Sequence, residues 1–147
     1  MQYELFFCGL LLALLFIAVT GYYPGGIIVP GYLVLYADQP LRITGTIIAG
    51  LLAFFIYRLA SRYLILFGKR RFVFLILISA TLSFCFSFLM PFIFPVSSEL
   101  KMIGWVIPGL IANNFDRQGI MVTFSSIAIV LAVLVFISRI YFYFLSI

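Results

Sequence analysis

Charged residues are scarce in this chain. Only 9% of its 147 residues carry a charge, whereas 66% are hydrophobic, and the mean hydropathy is +1.30. Soluble domains carry roughly 25% charged residues and about 45–50% apolar ones. A chain this short cannot hide so much apolar surface from water, because small folds leave a large share of their surface exposed. The composition therefore excludes a water-soluble domain and predicts a single all-α integral membrane domain spanning residues 1–147.

Histidine is absent, and cysteine occurs only twice, as Cys8 and Cys85. The lack of histidine removes the commonest metal ligand and the commonest general base, so a Ser-His-Asp arrangement is impossible. Each cysteine lies inside an apolar run and fits no metal-ligand spacing, so we expect both to be small buried residues. The sequence predicts no metal site and no catalytic residue of its own.

Nucleotide and nucleic-acid motifs are also lacking. Gly21 and Gly26 have the spacing of a phosphate loop, but Ile27 and Ile28 occupy the positions where Lys and Ser or Thr are needed. We therefore expect no cofactor in this chain. Its basic residues lie between two apolar runs, whereas a nucleic-acid site needs a basic face with interleaved polar contacts. Nucleic acid is not expected as a partner.

Long apolar runs dominate what is present. Four of them predict transmembrane helices, and two shorter pieces, each containing Pro-Gly, predict re-entrant or interfacial segments. The second run is only about 22 Å long at ~1.5 Å per residue, so we expect its helix to continue through Arg62 towards Phe67. The predicted helices are Leu5–Val19, Ile43–Tyr57, Phe72–Val96 and Gln118–Ser138, and the short pieces are Gly26–Ala37 and Met102–Ala112.

Five basic residues are concentrated between the second and third runs. The positive-inside rule places this stretch, residues 58–71, in the cytoplasm, where it contacts the headgroups of the lipid bilayer. With four crossings both termini are cytoplasmic too. That topology puts Glu4 and Arg139 inside with the basic stretch, for a net charge of +5, and gives zero for an outside set of Asp38, Arg42, Glu99, Lys101, Asp116 and Arg117. An alternative role for the stretch is to dock an acidic partner or a polyanionic product. Its members are Arg58, Arg62, Lys69, Arg70 and Arg71.

The two short pieces match each other at a constant offset of 78. Gly26 to Gly31 followed by Asp38 aligns without a gap with Gly104 to Gly109 followed by Asp116, and these are the only aspartates. The match predicts an internal repeat with halves 1–69 and 70–147. We favour two crossings per half and a parallel repeat because the short pieces contain helix breakers; three crossings per half would make the repeat inverted. Matching broken segments also indicate a binding site.

The repeated aspartates have two interpretations. Asp38 and Asp116 could cap the helices that follow, with Pro40 in the first turn of the helix after Asp38. They could instead form a polar cluster with Arg42 and Arg117 at the interface of the repeats, since ionisable groups at membrane depth are costly and usually pair or serve function. The residue pattern leaves both open.

Three blocks of the sequence closely resemble the poly-γ-glutamate synthesis protein family of the PgsC/CapC type. The length of the chain and the order of the blocks match as well, so the resemblance covers essentially the whole sequence. The blocks are Gly26 to Arg42 (GIIVPGYLVLYADQPLR), Gly68 to Phe72 (GKRRF) and Val106 to Gly119 (VIPGLIANNFDRQG).

The resemblance implies a multi-pass subunit of a capsule or exopolymer machine in the bacterial cell membrane. In that family a separate cytoplasmic subunit similar to Mur-type ligases joins glutamate through its γ-carboxylate, and ATP and magnesium are expected there. A further membrane-anchored subunit accompanies export. Whether this chain is itself part of an enzyme is left open. It would take part in synthesis or translocation of anionic poly-γ-glutamate; an independent oligomeric transporter or channel, and a purely structural scaffold for the ligase, are the alternatives.

The candidate residues for the polymer path, or for the repeat motif as a structural element, come from the two Pro-Gly blocks. They are Pro30, Gly31, Asp38, Gln39, Arg42, Pro108, Gly109, Asn113, Asp116 and Arg117.

Overall fold

The computed structural model describes residues 2–93 and 103–145, and this part of the chain contains six α-helices and no strand. The chain is therefore an all-α membrane protein, as the composition predicts. The predicted end of the third helix at Val96, the charged residues Glu99 and Lys101, and the start of the second short piece at Met102 lie outside the described residues. The helices are α1 (Gln2–Thr20), α2 (Val29–Leu35), α3 (Pro40–Ala60), α4 (Lys69–Ile93), α5 (Ile107–Gln118) and α6 (Ile120–Leu145).

Four of these helices, α1, α3, α4 and α6, are long and apolar enough to cross a membrane. They correspond to the four predicted runs, with different ends. The prediction that the second helix continues to Phe67 is wrong: α3 ends at Ala60, where the Ser61 hydroxyl donates to the Arg58 carbonyl at 2.9 Å and turns follow. By contrast α6 continues to Leu145, because the aromatic tail contains no helix breaker.

The Pro-Gly pieces are helical rather than broken at their prolines. Pro30 and Pro108 lie in the first turns of α2 and α5, whose N-cap residues Ile28 and Val106 have nearly the same backbone angles. Proline is tolerated there because the first N–H groups of a helix have no intrahelical acceptor. The prolines therefore start two short helices instead of interrupting them.

The short helix α2 runs antiparallel to α1. Gly31 packs against Gly9, where a Cβ on Gly9 would come within 2.7 Å of the Gly31 Cα, and the Tyr32 ring lies edge-on to Phe6 at 5.1 Å between centroids. Successive residues of α2 therefore lie beside successively earlier residues of α1. The chain between α1 and α2 has to come back to the middle of the bundle before α2 begins.

The same relation holds between α5 and α4. Gly109 packs against Ser79 near the middle of α4, and Asp116 forms a salt bridge with Arg71 in the first turn of α4. The prediction that Asp116 lies across the membrane from Arg71 is therefore wrong. Because α5 returns along α4, each half of the chain passes through the bundle three times, twice in a long helix and once in a short Pro-Gly helix.

The remaining long helices complete the bundle. α3 runs parallel to α5, since the Ile103 N–H donates to Thr46 Oγ1 at 3.0 Å at one end and the Phe54 and Phe115 rings lie 6.2 Å apart further along. α6 runs antiparallel to α1, since the Tyr141 hydroxyl donates to the Glu4 carboxylate at 2.8 Å at the end away from α5. This arrangement places the first residues of α1 and the last of α6 together.

The described charges divide between two ends of the bundle. We call the end that holds the α3–α4 loop and the C-terminal end of α5 the basic end; its six cations and one aspartate carry a net charge of +5, while the other end sums to zero. Glu4 and Arg139 lie at that other end, so their predicted place beside the basic stretch is wrong. Members of the basic end are Arg58, Arg62, Lys69, Arg70, Arg71, Asp116 and Arg117; the other end has Glu4, Asp38, Arg42 and Arg139.

The packed core centres on α5, which lies between α3 and α4 and buries most of its faces. In a bilayer the lipid chains are as apolar as the side chains, so helices associate through close packing, and small residues at the contacts permit it. Gly50 of α3 lies against the Pro108 carbonyl and Ile111, in the same way that Gly109 lies against α4. The two cysteines are exposed on the outer surface, so the prediction that they are buried is wrong.

Candidate functional site

The basic end is built on the first turn of α4. Gly68 has a φ of 61°, a left-handed conformation that glycine adopts without strain, and it turns the chain directly into Lys69, Arg70 and Arg71. Cations in the first turn of a helix oppose the helix dipole, at a cost of ~0.3–1 kcal/mol each at an exposed position. Helix stability therefore does not explain these residues, and their position indicates a role outside α4.

Arg71 is held by one acidic partner. Its Nη1 donates to Asp116 Oδ2 at 2.8 Å, and both side chains are 26% exposed. The Nε of the same guanidinium is buried and has no hydrogen-bond partner within the described part of the chain. A guanidinium has five N–H donors in a planar fork that matches a carboxylate. Arg71 therefore keeps donor capacity beyond its bond to Asp116.

A cleft of about 540 Å³ opens beside this ion pair, between α4 and the last turns of α5. The cleft is open to its surroundings on one side, so it is a surface groove and not an enclosed cavity. Asn113 and Arg117, four residues apart, line it from the same face of α5. We call it the basic cleft; it is lined by Gly68, Lys69, Arg71, Phe72, Val73, Asn113 and Arg117.

Tyr23 positions the α5 side of the cleft. The Arg117 guanidinium lies over its ring, 5.6 Å from the centroid. The neighbouring Gln118 binds the Tyr23 backbone twice: its Oε1 accepts from the N–H at 3.0 Å, and its Nε2 donates to the carbonyl. Gln118 Nε2 also donates to Thr123 Oγ1 at 3.1 Å. One side chain thus connects the end of α5 to the loop after α1 and to α6.

Replacing Gln118 with Ala is expected to destabilise the basic end by roughly 1–3 kcal/mol, because it leaves the backbone N–H of half-buried Tyr23 without its hydrogen-bond acceptor. The measurement is the thermal midpoint of the purified protein in detergent. The matched control is Gln39→Ala, since Gln39 is exposed and its side chain makes no capping bond. Equal midpoints for the two variants would contradict a structural role for the Gln118 amide.

The Pro-Gly residues of the predicted path are packing elements. Pro30, Gly31, Pro108 and Gly109 are all buried, and the two glycines lie against α1 and α4 respectively. Their side chains present no polar group to a ligand. The geometry therefore assigns them to helix packing, which agrees with the structural interpretation of the motif.

Asp38 and Asp116 are not brought together, so the predicted polar cluster is wrong. Arg42, over the Tyr36 ring at 5.4 Å, lies near the start of α3, whereas Asp116 lies by Tyr57 near its end, roughly 22 Å away at ~1.5 Å per residue. The reason is the third crossing in each half, which puts the repeated aspartates at opposite ends of the bundle. Asp38 and Gln39 are exposed.

The capping interpretation of the aspartates is wrong too. The N-cap of α3 is Gln39 and not Asp38, and it makes no side-chain capping bond. Asp116 lies inside α5, two residues before its last residue, and its carboxylate binds Arg71 instead of the N-terminus of α6. Tertiary pairing with a cation decides its orientation, since a charge-assisted bond is about twice as strong as a neutral one.

The structure brings together Lys69, Arg71, Asn113, Asp116 and Arg117, which were predicted in two separate groups. The other predicted docking residues, Arg58, Arg62 and Arg70, are exposed around this end. Sequence reasoning missed Gln118, Thr46 and Ser79, each of which bonds a helix to a loop that enters or leaves another helix. Their signal was available: each is a polar residue within or beside an apolar run, where an unpaired polar group would be costly.

The model of the capsule biosynthesis CapC family matches residues 8–124, a range that includes both Pro-Gly helices and the whole basic cleft. This chain belongs to the CapC family. The predicted family resemblance is thereby confirmed.

Two relatives align with this chain over most of their length. The protein named PGA biosynthesis protein CapC from Bacillus subtilis (strain 168) is 39% identical over 119 residues, covering 80% of this chain and 80% of that protein. The protein named Capsule biosynthesis protein CapC from Bacillus anthracis is 34% identical over 143 residues, covering 92% of each. No solved structure matches this CapC family chain at a significant level.

Proposed function

We propose that this chain is the membrane subunit of a poly-γ-glutamate capsule synthase and export complex in the bacterial cell membrane, with its basic end in the cytoplasm. The observation that carries the proposal is the concentration of positive charge at one end of the bundle in a member of the CapC family. The names of the two relatives support the capsule assignment. Poly-γ-glutamate is a polyanion, and a basic surface attracts it and guides its approach.

The nucleotide chemistry is assigned to a partner. A separate cytoplasmic ligase binds ATP and magnesium and joins glutamate units, because the present chain offers no phosphate-loop residues for that step. The exposed cations Arg58, Arg62 and Arg70 dock that ligase or receive its product. A membrane-anchored accessory subunit completes export. This division gives the chain roles in polymer synthesis and translocation.

The two halves, residues 1–69 and 70–147, form an inverted repeat in this proposal. Support comes from corresponding packing: Gly31 lies against Phe6 and Gly9, and Gly109 lies against Ile76 and Ser79, so the long-helix partners are 70 residues apart in both cases. α1 runs towards the basic end and α4 runs away from it. Inverted repeats with short discontinuous helices are typical of transporters, whose sites lie at the repeat interface. The polymer path therefore follows the contact between the halves.

The deciding measurement is ATP-dependent glutamate incorporation by membranes that carry the ligase, with and without this chain. Loss of incorporation without the chain places it in the synthesis step. Polymer that forms but stays on the cytoplasmic side makes the chain the exporter. Incorporation and export that both continue unchanged would contradict the proposal. Flux through liposomes containing this chain alone would favour the alternative of an independent transporter.

Neutralising the exposed cations is expected to weaken the ligase contact. The triple variant Arg58→Gln, Arg62→Gln, Arg70→Gln removes three positive charges from the basic end without touching the Arg71–Asp116 pair, so co-purification of the ligase should fall several-fold at low salt. Arg139→Gln, which removes an exposed cation at the other end, is the control. If the triple variant and the control retain equal amounts of ligase, the basic end is not the docking surface.

A further inference from the structure

We propose that the basic cleft is a binding site for the γ-glutamyl chain, and that Asp116 binds Arg71 at the position that a carboxylate of this chain would take. This inference rests on the proposed function, in which the whole basic end attracts the polymer. It locates the binding of the polymer in one cleft of that end. It names Arg71 and Arg117 as the groups that bind carboxylates and Asn113 as the group that binds the amide. Asp116 is the internal competitor that a carboxylate of the chain displaces.

The first support is the geometry of the ion pair. Arg71 binds Asp116 through a single Nη1 contact at 2.8 Å, while its Nε is buried without a hydrogen-bond partner in the described residues. A buried unpaired donor is costly, and a bidentate carboxylate that engages two nitrogens of the fork removes that cost. The Asp116 carboxylate thus shows the chemical class of ligand that fits here, while leaving Arg71 incompletely satisfied.

The second support is the charge inside the cleft. The cleft is lined by three cations, Lys69, Arg71 and Arg117. The Asp116 carboxylate pairs with Arg71, so the net charge at the cleft is positive. Within residues 2–93 and 103–145 Arg117 forms no salt bridge, and its guanidinium lies over the Tyr23 ring. Packing on an aromatic face leaves the guanidinium edge free to donate. The cleft can therefore take two carboxylates, one at each arginine.

The third support is the combination of groups. Each γ-glutamyl unit has one free carboxylate and one secondary amide. The cleft pairs its cations with Asn113, whose side-chain amide can donate to and accept from a peptide group. An anionic lipid headgroup offers phosphate and hydroxyl groups but usually no repeated amide. The volume of about 540 Å³ holds a short stretch of chain and not a globular partner.

The test is calorimetric titration of γ-linked pentaglutamate into the full-length protein in nanodiscs of zwitterionic lipid. Arg117→Gln should weaken binding about tenfold or more, and Arg71→Gln should do the same, because each removes a charged hydrogen-bond donor. Asp116→Asn should tighten binding several-fold, because it removes the competing carboxylate. Arg139→Gln, which removes an exposed cation at the other end of the bundle, should leave the affinity within about twofold.

Several outcomes would overturn the site. Equal losses for Arg117→Gln and Arg139→Gln would show diffuse electrostatic attraction only, and weaker binding by Asp116→Asn would show that Asp116 is not a competitor. Pentaglutamate binding that disappears in nanodiscs containing phosphatidylglycerol would assign the cleft to a lipid headgroup. Arg117 is exposed, so its substitution preserves folding, and the Arg71→Gln, Asp116→Asn double variant removes the ion pair without leaving an unpaired charge. If the double variant binds as well as wild type, Arg71 is structural.

Failure of this site is distinguishable from failure of the proposed function. Glutamate incorporation by ligase-containing membranes is measured with the same variants. Incorporation that needs the chain but is indifferent to Arg117→Gln overturns the cleft and leaves the synthase role intact. Incorporation that falls together with pentaglutamate affinity supports both.

Discussion

Leucine in place of Gly109 is expected to leave little folded protein in detergent extracts. A Cβ at this position would lie 2.5 Å from Ser79 Oγ, 3.0 Å from the Ile76 Cα and 3.2 Å from the Leu75 carbonyl oxygen. The last two atoms belong to the backbone of α4 and cannot rotate away. Overpacking a tight site costs roughly 1–3 kcal/mol or more, and every ~1.4 kcal/mol changes the folded-to-unfolded ratio tenfold.

The substitution also removes a connection between helices. The Ser79 hydroxyl lies 2.9 Å from the Ile76 carbonyl and 3.2 Å from the Trp105 carbonyl, and it holds the chain that enters α5 against α4. Any side chain at Gly109 pushes Ser79 out of this position. We therefore expect loss of the monodisperse peak on size exclusion together with a lower thermal midpoint.

The matched control for Gly109→Leu is Ala128→Leu, since Ala128 is exposed on α6 and its larger side chain would meet lipid or detergent. The double variant Gly109→Ala, Ser79→Gly should give more folded protein than Gly109→Ala alone. The reason is that Ser79→Gly removes the Ser79 Oγ, the atom closest to a Cβ at position 109. If Gly109→Leu yields as much monodisperse protein as Ala128→Leu, the close approach of α5 to α4 is contradicted.

Cysteines introduced at Ser61 and Met121 are expected to react from the same side of the membrane. Ser61 ends α3, and Met121, 83% exposed, begins α6 directly after the salt-bridged end of α5. A cysteine at Tyr3, 90% exposed at the start of α1, should react from the opposite side. An impermeant maleimide applied to right-side-out and inverted vesicles distinguishes the two sides almost completely.

The background for this labelling is a variant in which the exposed Cys8 and Cys85 are replaced by Ser. Tyr63→Cys, 87% exposed in the same loop as Ser61, is the positive control for the basic end. With four crossings Ser61 and Met121 would react from opposite sides, and Ser61 and Tyr3 from the same side. That result would contradict three traverses in each half.

Length and hydropathy determined much of the fold. Four apolar runs located α1, α3, α4 and α6, although α6 continues to Leu145 and not to the predicted Ser138. They did so because a bilayer requires each crossing to satisfy its backbone internally and to present apolar side chains. The Pro-Gly match located both short helices for the same local reason, since proline with its fixed φ suits a first turn. The family could likewise be recognised from the sequence, because the blocks that identify it are contiguous stretches of residues.

The direction of the short helices could not be read in the same way. Hydropathy counts only runs long enough to span, and α2, with seven residues, and α5, with twelve, fall below that length. The positive-inside rule gives the side of a loop but is insensitive to one extra crossing in each half. Adding both crossings moved Glu4, Arg139, Asp116 and Arg117 between ends and left the net charge of +5 at the basic end unchanged. The charge asymmetry therefore fits both arrangements of the helices equally well.

The sequence by itself determined the membrane class, the four long helices, the repeated Pro-Gly motif and the family. Only the tertiary structure decided which charges meet. Arg71 and Asp116 are 45 positions apart, and they meet at 2.8 Å because Gly109 lets α5 lie close against α4 and return to its first turn. Spacing along the chain carries no information on such a contact, since a pairing between helices depends on crossing direction and on the packing of small residues.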